Sequence, residues 1–242
     1  MTEPVDSAFR GGLLHLPEEL PAGMPVESTV FAADGVTEIL TAVCVLAFIL
    51  SIRRLVNVLP SMLSCLFRWK EAFNLEYNIK LCRDRNIIFY ILLLPFCLLV
   101  TRYGTYSPEF MTETGTGNAV RLVFFAGIFV IYLLIRRVLG LIFRSDDIDS
   151  TAYTAAKRLF LTFFSTAVLC CLALAGILSY TSISDNTVRL VLTYTLSFFY
   201  LLLVFRKSQI FSHYCSVLST ILYLCTLEIL PTGLLVASAI FL

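Results

Sequence analysis

Apolar residues fall into six blocks along the chain, separated by short polar stretches. The blocks cover approximately residues 33–53, 86–103, 119–137, 159–180, 188–205 and 214–240. Each is close to the roughly 17–25 apolar residues that a helix needs to cross the hydrocarbon of a bilayer. Three are short: residues 39–52, 86–101 and 122–135 are uncharged, so their ends must lean on snorkelling Arg53, Arg102 and Arg121. The sixth is long and is expected to tilt, or to break at Pro231. The pattern predicts an all-α fold, a polytopic transmembrane bundle of six spans forming one domain over 35–242. Residues 1–34 are acidic and hold four of the eight prolines. They read as a flexible tail, and they lack the basic segment followed by an apolar core that marks a cleavable signal.

One polar connection, about 55–85, has a period of its own. Leu55, Leu59, Met62, Leu66, Trp69, Phe73 and Tyr77 recur at spacings of three and four, which is one face of a helix. Pro60 interrupts the start, so a helix from about Ser61 to Arg83 is expected. Arg68, Lys70, Lys80 and Arg83 flank the stripe, leaving two homes for it. It lies in the headgroup plane, as basic amphipathic helices do, or it packs under the bundle. In the fourth span Ala167, Cys171, Ala175 and Ser179 form a ridge of small residues, which lets another helix approach closely in lipid.

Composition agrees with this picture. Of 242 residues, 58% are hydrophobic and 14% charged, against about 45–50% and 25% in soluble domains. The net charge of +1 leaves no footprint for nucleic acid. Segments 53–85, 136–158 and 206–207 hold 14 of the 18 lysines and arginines. By the positive-inside rule, both termini then lie outside and the long basic loops are cytoplasmic. The eight cysteines show no CxxC or CxxC…HxxxH spacing, so neither a disulfide framework nor a zinc site is expected.

Candidate chemistry centres on Glu228, the one acid in Ser208–Leu242, a run without lysine or arginine. A carboxylate at mid-membrane must be protonated, paired or facing a wet cavity. Two readings stay open. In the first, a neutral Glu228, with the hydroxyls of Thr226 or Tyr223, satisfies groups freed by Pro231 or binds a neighbouring helix; Glu228→Gln would then be nearly silent. In the second, it exchanges a proton or meets a ligand or partner. Counted from Ser212 at about 1.5 Å per residue, Glu228 lies roughly 24 Å up, near the far interface. His213 stands at the mouth of the same span, about four turns from Glu228. The run DDIDS, Asp146–Ser150, reads as a helix cap rather than a metal site. GxSxG, HExxH and P-loop patterns are absent, which disfavours an enzyme. No metal or cofactor is implied.

The ending FSHYCSVLSTILYLCTLEILPTGLL closely resembles the C-terminus of a Bacteroidetes-type family of integral membrane proteins known only as a domain of unknown function. The LPEELPAGMP tail, the RWKEAFNLEYNIKL segment and the KRLFLTFF opening of the fourth span fit that family's layout. The resemblance implies a multi-pass protein of the inner membrane of a Gram-negative envelope, and it implies no activity. It marks His213, Tyr223, Glu228 and Pro231 as signature positions. The expected function is therefore a non-enzymatic accessory or assembly protein, with the lipid bilayer and other membrane proteins as partners. A small proton-coupled transporter using Glu228 and a membrane-embedded lipid-modifying enzyme are the alternatives.

Overall fold

A computed structural model describes residues 35–104, 118–142, 150–181, 183–214 and 217–241, all within one compact unit, Ala33–Leu242. Every regular element among them is helical. In chain order these are α1 (Gly35–Phe67), α2 (Glu71–Tyr77), α3 (Ile79–Tyr103), α4 (Asn118–Ile142), α5 (Ser150–Tyr180), α6 (Asp185–Tyr214), α7 (Val217–Leu224), a π turn (Cys225–Ile229) and α8 (Leu230–Phe241). Six helical segments are long and apolar enough to cross a membrane: Glu38–Phe67, Ile79–Tyr103, Asn118–Ile142, Tyr153–Tyr180, Asp185–His213 and Thr220–Ala237. The chain is a multi-pass membrane protein. The end of the bundle holding Phe67, Ile79, Ile142 and Tyr214 carries most of the basic residues and is called the basic end below.

The expected single helix from Ser61 to Arg83 is replaced by three pieces. α1 runs through Pro60, which is exposed on the outside of the helix, and continues to Phe67. It stops there because Arg206 of α6 takes over its last carbonyls. Nε and Nη2 donate to the oxygens of Leu66 and Phe67, each at 2.8 Å, satisfying acceptors that a helix end leaves without partners. α2 follows after a turn. Asn78 then turns extended (φ −89°, ψ 98°) and its side chain accepts from the Leu81 N–H at 3.4 Å to start α3. Of the predicted stripe, Leu55 and Met62 are buried, and Leu66, Trp69 and Phe73 pack against the core. Ala72 and Leu75 of α2 are buried too. The stripe therefore packs under the bundle, while Tyr77 at its end is 75% exposed.

α5 is the most buried span and the hub, lying against α6, α3, α1 and α2. Its aromatic face meets α3 and α4 in a ring cluster. Phe164 has Phe96, Phe129 and Phe89 at centroid distances of 5.0, 5.2 and 5.3 Å, within the range where edge and offset contacts are favourable. Its small ridge serves packing within the chain. Ala167, Cys171 and Ala175 are buried, the last two with Leu99 of α3 and Val188 and Leu192 of α6, whereas Ser179 is exposed. Near the basic end α5 comes close to α4 at Gly140, whose carbonyl accepts from the Tyr153 hydroxyl. A Cβ at Gly140 would sit 3.3 Å from that oxygen. α3 ends on Gly104 in the left-handed region (φ 56°), the conformation that glycine adopts without a Cβ penalty.

The sixth span does not break at Pro231. The helix passes through it by widening into the π turn just before it.

Overpacking the ridge should be felt where it is buried. Cys171→Leu forces extra volume between α5 and α6, at a cost of about 1–3 kcal/mol. Ser179→Leu, on the exposed end of the same ridge, should change stability by no more than about 0.5 kcal/mol. Thermal unfolding in detergent should show a lowered melting temperature for the first variant only; equal melting would mean that the ridge is not a packing surface.

Candidate functional site

Proline at 231 has no N–H to give to the carbonyl of Leu227, and its ring crowds that turn. The chain answers by shifting register, so that the Leu230 N–H bonds to the carbonyl of Cys225, five residues back. Such bulges leave a carbonyl in need of another donor. Here the Glu228 carbonyl accepts from the Thr232 hydroxyl. The Tyr200 hydroxyl of α6 lies 3.2 Å from the same carbonyl and 2.7 Å from Thr232 Oγ1. The Glu228 carbonyl beside the kink is thus served by Thr232 and Tyr200, while Thr226 bonds back to the Leu222 carbonyl at 2.8 Å.

The Glu228 side chain does something else. It is buried, with 2% of it exposed, and its Oε1 is shared by two cations from different helices, Arg136 of α4 and Lys207 of α6. Arg136 is itself held in place. Its Nη1 donates to the Tyr132 hydroxyl at 3.1 Å, one turn back on α4, and its guanidinium lies 3.7 Å over the Phe160 ring of α5, a desolvated cation–π contact. Glu228 Oε2 is buried without a hydrogen-bond donor among the described residues. This is an ion-paired clasp joining α4, α6 and the last span, in place of the neutral carboxyl that the sequence suggested.

The depth also differs from the expectation. α6 stays helical to Tyr214, about two turns past Lys207. The hairpin therefore turns back later than a start at Ser212 requires, and Glu228 comes up opposite Lys207. Arg136 lies about 27 Å along α4 from Asn118, which puts the clasp toward the basic end rather than the far interface.

A second cluster repeats the pattern nearby. Glu76 of α2 pairs with Arg85 of α3 and with Arg158 of α5, the latter at 2.7 Å. The Cys82 thiol sits between them, 3.1 Å from Arg158 Nη1 and 3.5 Å from Arg85 Nη2. Arg85 is almost completely buried. Each cluster is one carboxylate between two cations, and each joins three elements.

The remaining signature positions lie apart from the carboxylate. Tyr223 is buried with its ring 5.1 Å from Phe211 and 6.1 Å from Tyr153. His213 is exposed at the end of α6, its ring 5.4 Å from Trp69. The DDIDS run, apart from the backbone of Ser150 at the start of α5, lies outside the described residues. Among the described residues no three His, Cys, Asp or Glu side chains come together as a metal site. Sequence reasoning missed Arg136 and Lys207 because both sit where loop cations are expected. A signal was available: if a lone acid in an uncharged span is paired, its cation comes from a neighbouring span.

Residues 37–238 match the family described as Domain of unknown function (DUF4271). The chain belongs to that family. The DUF4271 match takes in both ionic clusters and all six spans. No curated protein and no solved structure matches the chain.

The clasp reverses the effect expected of Glu228→Gln. Glutamine keeps the shape but leaves two buried cations without a counter-charge, and removing one partner of a buried pair costs about 3–5 kcal/mol. Lys207→Met leaves Arg136 and Glu228 as a balanced pair and should cost less. Melting temperatures in detergent should fall in the order wild type, Lys207→Met, Glu228→Gln. A Gln variant as stable as wild type would mean that the carboxyl carries no charge in the folded protein.

Proposed function

We propose that the protein is a non-enzymatic accessory protein of the cell inner membrane, acting through assembly with other membrane proteins. The observation that carries this reading is the engagement of Glu228. A carrier that moves protons needs a carboxylate that is alternately released and exposed to either side. Here the carboxylate is held by cations from two helices, and its backbone carbonyl is held by Thr232 and Tyr200. Removing it is expected to loosen the bundle rather than to stop a transport cycle.

A transport assay separates the two readings. Protein reconstituted in vesicles carrying an internal pH dye should show no proton leak above that of empty vesicles under an imposed gradient. A gradient-driven flux that Glu228→Gln abolishes, with the bundle still folded, would sink the accessory reading and promote the carrier. In the host membrane, chemical cross-linking followed by purification in mild detergent should yield a complex of fixed stoichiometry.

The orientation that belongs to this reading has both termini outside, supported by the concentration of basic residues at one end of the bundle. Single cysteines placed at positions 20 and 112 on a cysteine-free background should react with an impermeant reagent in intact cells. Cysteines at positions 70 and 150 should react only after permeabilisation. Labelling of position 70 in intact cells would reverse the topology.

A further inference from the structure

The corner where α2 meets α3 is unlike the rest of the basic end. α2 packs its Ala72 and Leu75 inward, and Glu76 is taken up by Arg85 and Arg158. The other side of the corner is a shallow concavity of about 460 Å³ lined by Asn74, Tyr77, Asn78, Ile79 and Lys80. Tyr77 is 75% exposed and Ile79 84% exposed. Neither packs against the protein, yet both stand beside polar groups, an arrangement that is costly in water and suited to the boundary between headgroups and acyl chains.

Two measures put the corner at that boundary. α3 has 25 residues, about 37 Å of helix, against about 30 Å of hydrocarbon. Its first turn, Ile79–Cys82, therefore falls in the headgroup layer. α2 is too short to be a span, and Phe67 at the end of α1, also strongly exposed, is the apolar residue at the neighbouring helix end.

The charge around the concavity is predominantly basic, four exposed cations against the half-exposed Glu71. Arg68, Lys70, Lys80 and Arg83 are all exposed. Of the acids, Glu76 is paired inward, Asp84 is buried, and Glu71 accepts from the Asn74 amide at 3.1 Å. Lys70 lies 5.7 Å over the Trp69 ring, whereas Lys80 forms no ion pair among the described residues. The Asn78 oxygen is used by the Leu81 N–H, which leaves its amide N–H groups to face a ligand.

We propose that this corner binds the headgroup of an anionic phospholipid. Lys80 and the Asn78 amide meet the phosphate, and Tyr77 and Ile79 lie against the glycerol and ester groups of the headgroup layer. Neighbouring Arg68, Lys70 and Arg83 select an anionic lipid over a zwitterionic one, as clustered basic residues do at membrane surfaces. The site does not depend on the function proposed above, since it uses none of the residues of the Glu228 clasp.

The test uses the full-length protein in detergent, stripped of lipid and then supplied with phosphatidylglycerol, phosphatidylcholine or inorganic phosphate. Native mass spectrometry counts retained lipid, and thermal melting reads stabilisation. Phosphatidylglycerol should be retained and should raise the melting temperature by several degrees, while phosphatidylcholine does neither. Lys80→Gln should lose most of that shift. Arg137→Gln, an exposed basic residue of α4 at the same end, should keep it. Tyr77→Ser reads the site independently of charge and should weaken retention of the lipid. A full shift in Lys80→Gln, or an equal loss in Arg137→Gln, overturns the site in favour of a diffuse ring of charge. A shift of the same size from inorganic phosphate overturns the lipid assignment in favour of a free anion.

Discussion

A carboxylate inside a bilayer has to bring its own counter-charge, and this requirement organises the bundle. Apolar helices gain little from leaving lipid for one another, because lipid is as apolar as their side chains. Which helix stands beside which is then decided by groups that lipid cannot satisfy. Glu228 is such a group: its span has no cation of its own, so it is stable only with α4 and α6 alongside. Glu76 makes the same demand on α3 and α5 for the short helix α2. With the Arg206 cap on the end of α1 and the Tyr153–Gly140 bond between α5 and α4, polar contacts tie every span together at one end.

Further along the bundle the cohesion is of another kind. Phe89, Phe96, Phe129, Phe160 and Phe164 interlock α3, α4 and α5 through ring contacts. Toward the far end the small residues of α5 admit Val188 and Leu192 of α6 at close range. α1 and α4, the least buried spans, present Ile39, Leu46, Leu50, Val123 and Leu134 outward, as lipid-facing helices do. The bundle is thus pinned by charge at one end and filled by shape elsewhere. Arg136 belongs to both systems, since its guanidinium pairs with Glu228 and lies over Phe160.

The π turn shows how one local defect and one ion pair depend on each other. Pro231 removes a backbone bond, the helix widens, and Tyr200 and Thr232 satisfy the Glu228 carbonyl. The same residue sends its side chain to α4 and α6. Side-chain bonds to the backbone and inter-helix pairing therefore meet at a single position, Glu228, three residues before Pro231.

Much of this was legible in the sequence, because the bilayer imposes a length and a polarity that leave one-dimensional marks. Six apolar blocks predict six helical spans, and the described residues hold six. The amphipathic stripe predicts an apolar neighbour for residues 55–77, and Trp69 and Phe73 have one. Glu228 stands out as an acid in an uncharged run. What only the tertiary structure decided is which partners answer these signals. Arg136 and Lys207 are 92 and 21 residues from Glu228, and sequence proximity gave Thr226 and Tyr223 as its neighbours instead. The break after Phe67 comes from Arg206, 139 residues away, where local reasoning put the break at Pro60. The depth of Glu228 follows from how far α6 runs before it turns. Hydrophobic length is a property of each segment alone. The pairing of a buried charge depends on which segments come together, and no local pattern records that.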